Sequence, residues 1–237
     1  MNAVKKRAPT SKPPRVVRVR RGNLLDHEAY RRQVADATLS LYRTSGLGGV
    51  TMRAVGQRVG VSVMSLYRYF PSKSSLLMAL WDSILADLYT QMVEAVGAQT
   101  TPRSRLRASE ESFLTYFEED ADRFRIIFLT EQTVGADREA AIERCAAYQD
   151  LDTLSKRLHE EFAQSLGAQP SPARFALARE LRLTMAVGYL HSSLINKRGP
   201  WSDLAALRAA VVDTMLGAIE KCFVVDGVST TRKRRAA

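Results

Sequence analysis

Helix-capping and helix-ending residues are closely spaced in residues 51–73, TMRAVGQRVGVSVMSLYRYFPSK, and they restrict the fold of this segment. Thr51 and Ser62 can each cap a short helix, because their hydroxyl oxygens accept hydrogen bonds from free backbone N–H groups. Gly60 permits a tight turn between these two helices. The Pro-Ser pair at 71–72 ends the second helix, and its serine can cap the next one. We therefore expect three helices in close succession here.

Apolar residues recur at helical spacing along most of the chain, and no two-residue alternation typical of a strand appears. The predicted helices are 26–45, 52–59, 62–70, 73–96, 103–119, 120–131, 137–166, 172–196 and 202–225. The predicted fold class is therefore all-α, with about nine helices. It consists of a small N-terminal three-helix helix-turn-helix domain and a larger helical domain.

Bulk composition excludes several classes of protein. No run of 18 or more apolar residues appears, and no apolar stretch follows the basic N-terminus, so we expect neither a membrane span nor a signal peptide. Two widely separated cysteines, Cys145 and Cys222, favour unpaired thiols in a reducing cytoplasm over a disulfide framework.

Positive charge is concentrated at the N-terminal end. The net charge is +10, and residues 1–23 carry eight Lys/Arg and no acid. Residues 24–75 carry seven basic and three acidic residues, whereas 76–231 carry sixteen and twenty-two. This asymmetry predicts a polyanionic partner. The proline-rich 1–23 is predicted to be a disordered basic arm and 228–237 a basic tail. Either they contact nucleic acid or they only solubilise the chain.

The short helices can form a small core of their own. Val55, Val59, Val61, Leu66 and Phe70 lie at positions that can close it, while a glycine at 56 lets the helices pass closely. Six residues then have no necessary place inside: Val63, Met64, Ser65, Tyr67, Arg68 and Tyr69. A helix with short residues, tyrosines and an arginine on its free face fits the major groove of DNA.

Residues 26–90 resemble the DNA-binding domain of the TetR family of bacterial transcriptional regulators. The resemblance is carried by Thr51, Arg53, Val55, Gly60-Val61-Ser62, Leu66-Tyr67, Tyr69-Phe70, Lys73 and Leu76-Leu77. It implies a helix-turn-helix domain at 24–75, with the motif at about 51–70 and a connecting helix from 73. The residues that the resemblance and the chemistry place at DNA are Thr51, Arg53, Ser62, Val63, Met64, Ser65, Tyr67, Arg68, Tyr69 and Lys73.

The roles differ within this set. The resemblance implies that residues 63–65 meet base edges, that Tyr67 and Tyr69 contact phosphates, and that Thr51 and Arg53 add backbone contacts. Apolar Val63 and Met64 predict contact with thymine methyl groups, with Arg68 at phosphate or guanine. Two alternatives stay open. Val63 can instead belong to the core, and Lys73 is either a phosphate ligand at a helix N-terminus or an ordinary surface lysine.

For residues 76–227 the resemblance implies a ligand-binding and dimerisation domain. The candidate ligand-binding residues are Phe113, Tyr116, Phe117, Phe128, Tyr148, Met185, Tyr189 and His191. The candidate dimer residues are Leu204, Leu207, Val211 and Met215. Aromatic and leucine residues at helical spacing are equally compatible with an internal core.

The resemblance implies a DNA-binding repressor that binds a palindromic operator as a homodimer and is released by a small-molecule effector. The alternative is a helix-turn-helix regulator whose body serves assembly or binds a protein partner. An enzyme is not expected, because the three histidines are dispersed, HEEF at 159–162 lacks the second histidine of a zinc helix, and no nucleophile elbow or dinucleotide fingerprint occurs. We expect no metal and no cofactor, and a cytoplasmic, nucleoid-associated location.

Overall fold

The computed structural model describes residues 24–130, 145–196 and 201–224. These residues contain nine α-helices: α1 Leu24–Gly49, α2 Met52–Val59, α3 Val63–Tyr69, α4 Lys73–Gly97, α5 Pro102–Glu118, α6 Ala121–Phe124, α7 Ala146–Ser165, α8 Pro172–Leu190 and α9 Leu204–Val224. Short π-helical turns follow α6 and α8, at Arg125–Leu129 and His191–Ile195. The all-α prediction is confirmed. The predicted arm and tail lie outside the described residues.

The chain divides into two compact units, one ending at Leu80 and the other beginning at Trp81. Unit 1 (described residues 24–80) has a core built from α1 to α4. Its buried residues are Tyr30, Val34, Ala37, Val50, Met52, Val55, Val59, Leu66, Phe70, Leu76, Leu77 and Ala79. Of the helix-turn-helix residues predicted to face inward, Val55, Val59, Leu66 and Phe70 are in this core, and Val61 is partly buried against it.

The predicted caps of the short helices are confirmed. The Thr51 hydroxyl accepts from the Ala54 N–H at 3.1 Å at the start of α2, and the Ser62 hydroxyl accepts from the Ser65 N–H at 3.1 Å at the start of α3. Gly60 ends α2 with φ +79°, in the left-handed region that favours glycine. These local bonds define where the two short helices begin and end.

Several predicted boundaries differ from the structure, and three of them have an identifiable local reason. Helix α1 begins at Leu24 rather than Asp26 and runs to Gly49 across a break at Gly46, where φ is +62°. Cys145 is extended, so a continuous helix over 137–166 is wrong at that residue; 137–144 lie outside the described residues. The last helix begins at Leu204 rather than at 202 and is capped by Asp203, since the Asp203 carboxylate accepts from the Ala206 N–H at 2.8 Å.

Unit 2 (described residues from 81 onward) packs α5 against the other helices around aromatic side chains. Phe117 lies 5.1 Å from Phe113, 6.0 Å from Phe124 and 5.6 Å from Phe128, measured between ring centroids. Edge-on packing of this kind adds to the hydrophobic stabilisation of a core. Among the described residues no helix is long and apolar enough to cross a membrane.

Candidate DNA-binding surface and ligand cavity

Helix α3 presents a free face that carries Met64, Tyr67 and Arg68. Met64 is 78% exposed and Tyr67 is 46% exposed, while Leu66 on the opposite face is fully buried. Arg68 is also exposed. A methionine this exposed on a well-packed domain is unusual, because burying its side chain is favourable by about 1.5–3 kcal/mol. The exposed face of α3 is therefore the prime candidate for contact with a partner.

Val63 and Tyr69 lie differently from Met64. Both are partly buried and pack against the core of unit 1. The Tyr69 ring lies 5.0 Å from that of Tyr30 and 5.5 Å from that of His27, between centroids. The two residues that the sequence predicted to have the same role therefore differ in burial. Met64 is exposed to solvent, whereas Val63 packs against the core.

The small polar residues of the candidate surface bond to one another or to the helix ends. Ser62 donates to the Ser65 hydroxyl at 2.9 Å in addition to capping α3. Thr51 is exposed while its hydroxyl caps α2, and Arg53 in the first turn of α2 is exposed. These serine and threonine hydroxyls position the helices, whereas the arginine side chain is extended into solvent.

Lys73 makes a contact that neither sequence interpretation anticipated. Its Nζ donates to the backbone carbonyl of Leu47 at 2.7 Å. Leu47 lies in the last turn of α1, beyond the break at Gly46, so the bond joins the start of α4 to the end of α1. The ammonium thereby satisfies a carbonyl near a helix C-terminus, which is the favourable end of the dipole for a cation.

Gly56 fixes how closely α2 approaches the turn before α3. Its carbonyl accepts from the N–H groups of Gly60 and Val61, both at 2.9 Å. A Cβ at this position would lie 3.1 Å from the Val61 carbonyl oxygen, tighter than ordinary contact. The prediction that a missing side chain allows this close passage is confirmed.

Positive charge predominates in the helix-turn-helix region. Between Asp36 and Asp82 the sequence contains five basic residues and no acidic residue. Within the described residues, Arg53, Arg58 and Arg68 are exposed, and none forms an ion pair with a described acid. Exposed cations without nearby acids attract polyanions and make binding dependent on salt.

Unit 2 contains a cavity of ≈210 Å³. Its apolar wall comes from α4, α5, the first π turn, α7 and α8: Trp81, Leu85, Leu88, Met92, Phe113, Phe117, Ile127, Phe128, Leu151 and Leu183. Its polar wall comes from α7 and α8 together with Cys145: Tyr148, Asp152, Ser155, Arg179 and Arg182. A mainly apolar cavity with a few polar groups at one side is typical of a small-molecule site.

One polar group, Arg182, is neutralised within the protein. Its Nε donates to both carboxylate oxygens of Glu110, at 2.6 and 2.7 Å, and its guanidinium carbon lies 5.0 Å from the Phe113 ring centroid. Burial raises the pKa of Glu110, whose side chain is 1% exposed, although Arg182 opposes this effect. The pair offers a ligand little net charge.

A second group, Arg179, is arranged differently. Its terminal nitrogen bonds to Asp152, and the Nζ of Lys156 donates to the other Asp152 oxygen at 2.6 Å. Both oxygens of Asp152 are thus occupied by cations, which lowers the pKa of this carboxyl group against a partial desolvation. The Arg179 Nε is buried and has no hydrogen-bond partner among the described residues.

The predicted ligand-binding residues divide into two groups. Phe113, Phe117, Phe128 and Tyr148 line the cavity. The other four are not part of its lining: Tyr116, Met185, Tyr189 and His191. The Tyr116 and Tyr189 hydroxyls instead donate to the Ile84 carbonyl and to the Glu118 carboxylate, both at 2.7 Å. These tyrosines have the internal partners that buried phenols require.

Sequence reasoning missed the two arginines of the cavity. Arg179 and Arg182 are three residues apart and therefore share a face of α8. That spacing was visible in the sequence. However, charged residues at this spacing are usually solvated, and nothing in the sequence distinguished this pair.

The predicted dimer residues on α9 also divide. Leu204 is 42% exposed and Leu207 and Val211 are partly buried, but Met215 is fully buried within unit 2. Exposed small residues accompany them on α8 and α9: Ala176, Gly188, Ala206, Ala209 and Ala210. Leu177 and Leu183 on α8 are 44% and 42% exposed. The free faces of these helices are therefore apolar or small over much of their length.

Comparison with known proteins finds a family and several regulators to which this chain is similar. A family model described as bacterial regulatory proteins, tetR family, matches residues 34–80. The transcriptional activator FasR of Mycolicibacterium smegmatis is 33% identical over 130 residues, which cover 53% of this chain and 59% of FasR. The transcriptional repressor KstR of Rhodococcus jostii is 29% identical over 193 residues, which cover 79% of this chain and 82% of KstR.

A solved structure extends the likeness to the whole fold. The regulator FadR from Bacillus subtilis, in complex with stearoyl-CoA, superposes with a TM-score of 0.65 at 17% identity, covering 79% of this chain and 98% of FadR. The FasR alignment spans less than two thirds of that relative's length. Residues 34–80 therefore match the model of the tetR family of bacterial regulatory proteins, and longer stretches of the chain are similar to two transcriptional regulators.

Proposed function

We propose that the protein is a transcriptional repressor that binds a palindromic operator through α3 as a homodimer and is released by a small, largely apolar effector. The observation that carries DNA binding is the free face of α3: Met64 is 78% exposed beside exposed Tyr67 and Arg68. This face lies in a stretch with five basic residues and no acid. A helix of this kind suits the major groove, with neighbouring cations at phosphates.

Within this proposal the side chains have distinct tasks. Met64 contacts thymine methyl groups, Arg68 contacts phosphate or guanine, and Tyr67 contacts phosphate. Val63, Ser62 and Ser65 set the position of α3, because Val63 packs on the core and the serines bond to each other. Lys73 chiefly joins α4 to α1 through its bond to Leu47.

The cavity of unit 2 supports effector binding over the alternative of a body used for assembly or protein binding alone. Its lining includes Trp81, Leu85, Leu88 and Met92 from α4, the helix whose first residues, Leu76 and Leu77, belong to the core of unit 1. A ligand that shifts the equilibrium of α4 can therefore change DNA affinity. FadR, which has the same fold, was solved in complex with stearoyl-CoA.

Dimerisation is proposed at the free faces of α8 and α9, where small and apolar side chains are exposed. A two-fold dimer presents two copies of α3 to two inverted half-sites. The direction of regulation follows the relative that aligns over more of this chain, since KstR is a repressor and aligns over 79% of it.

The test is binding to duplex DNA measured by fluorescence anisotropy over a range of salt concentrations. Arg68→Gln should weaken specific binding by about tenfold or more and lower the salt slope by about 0.9 if Arg68 contacts a phosphate. Arg157→Gln is the matched control, because Arg157 is an exposed arginine of α7 in unit 2. If both variants bind like the wild type, α3 is not the DNA-binding helix.

A further inference from the structure

We infer that the effector is an amphipathic anion whose apolar body occupies the cavity of unit 2 and whose negatively charged acceptor group is bound by Arg179. This inference rests on the proposed function, because it concerns the ligand of the same cavity. It adds the chemical class of the ligand and the residue that selects it.

The apolar part of the inference follows from the lining. Ten of the residues around the cavity are Trp, Leu, Met, Phe or Ile. A cavity of ≈210 Å³ is smaller than the roughly 300–1,000 Å³ of sites for drug-sized ligands. A slender chain or a small ring suits this volume, and a strongly hydrated molecule does not, since it would lose its water against apolar side chains.

The charge of the ligand follows from the Arg179 cluster. Asp152 is the acid of this cluster, and both of its oxygens are occupied, one by Arg179 and one by Lys156. Of these three groups Arg179 and Asp152 line the cavity, whereas Lys156 lies outside its lining. A cationic ligand would find both Asp152 oxygens already bonded, whereas an anion can bind to the guanidinium of Arg179.

The position of the acceptor group follows from the buried donor. The Arg179 Nε is shielded from solvent and has no partner within the described part of the chain. Buried donors in proteins are nearly always satisfied, and a guanidinium N–H bonds most strongly to an anionic oxygen. A carboxylate, phosphate or sulfonate oxygen at this point would complete the hydrogen bonding of Arg179.

Room for a polar head group exists on the other side of Arg179. A second, more open cleft of ≈560 Å³ lies between the end of α7 and the start of α8, and Arg179 lines both the cavity and this cleft. The polar residues that line this cleft are Gln164, Gln169 and the acid Glu160, so the contact that favours an anion is the one to Arg179. Arg182 cannot replace Arg179 in this role, because its Nε is already bonded to Glu110.

The experiment uses amphiphiles that differ only in the head group: decanoate, decan-1-ol and decyltrimethylammonium, each below its micelle concentration. Trp81 lines the cavity and Trp201 is the second of the two tryptophans of the chain. The variant Trp201→Phe therefore makes indole fluorescence report on the cavity alone. DNA binding is measured on the same samples.

We expect decanoate to bind about tenfold more tightly than decanol, the effect of one charge-assisted hydrogen bond, and decyltrimethylammonium to bind most weakly. Arg179→Gln should remove the preference for decanoate. Arg157→Gln, an arginine change outside both cavities, should retain it. The head-group series in the unmodified cavity also tests the inference without depending on the folding of any Arg179 variant.

Equal binding of the three probes, a preference for the cation, or a preference for decanoate that survives in Arg179→Gln would overturn the anion inference. In those cases the fluorescence change of Trp81 would still support a ligand cavity, so the proposed function would stand. If no probe alters either Trp81 fluorescence or DNA affinity, the inference and the effector part of the proposed function both fail.

Discussion

Replacing Lys73 by methionine tests whether this lysine chiefly joins α4 to α1 or chiefly contacts a DNA phosphate. Methionine keeps most of the aliphatic side chain and removes the ammonium that donates to the Leu47 carbonyl at 2.7 Å. Hydrogen bonds to charged groups contribute about 1.5–3 kcal/mol, and the partial exposure of Lys73 places the loss near 1.5 kcal/mol. This corresponds to roughly a tenfold change in a local opening equilibrium.

Hydrogen exchange followed residue by residue measures this opening. Amides at the end of α1 and the start of α4 should exchange about tenfold faster in Lys73→Met, since local opening there no longer breaks this bond. Lys156→Met, a lysine change in unit 2, should leave their exchange unaltered. The interpretation is refuted if exchange is unchanged while the slope of log affinity for DNA against log salt falls by about 0.9, as expected for a lost phosphate contact.

Three further predictions concern stability. Burial lowers the pKa of His159 to about 4, whereas a histidine in the unfolded chain has a pKa of about 6.5. The stability that depends on neutral His159 is therefore fully present above about pH 6.5 and is lost as the pH falls towards 4. Urea titrations across that window should show a difference of about 3 kcal/mol that His159→Gln abolishes. Glu110→Ala should cost about 3–5 kcal/mol in the same titration, because it leaves Arg182 buried without its partner; a loss below 1 kcal/mol would contradict that pairing. Gly56→Val should lower the melting temperature and weaken DNA binding, because its Cβ would press on the Val61 carbonyl; calorimetry showing an unchanged melting temperature would contradict the close approach.

Local signals in the sequence were sufficient to predict the short helices of unit 1. Thr51, Ser62 and Gly60 act through hydrogen bonds and a backbone angle that involve residues at most four positions away. Such features depend little on the rest of the fold. The start of the last helix was predicted too early, because serine and aspartate are equally good caps and only the observed bond distinguishes them.

Contacts between distant residues could not be predicted in the same way. The bond from Lys73 to Leu47 spans 26 positions, and that from Arg182 to Glu110 spans 72. Helical periodicity predicts that a residue faces the interior, but it does not predict whether its side chain lines a cavity or contacts another residue. For that reason the sequence did not distinguish Phe113, which lines the cavity, from Tyr189, which bonds to Glu118 instead.

The most direct test of the account is selection of bound sequences from random duplex DNA, with the full chain and with Met64→Ala. We expect the wild type to enrich two inverted half-sites and Met64→Ala to relax the preference for thymine at one position in each half-site, without loss of stability. Failure to enrich any sequence, or enrichment of a single half-site that Met64→Ala leaves unchanged, would contradict dimeric recognition through the exposed face of α3.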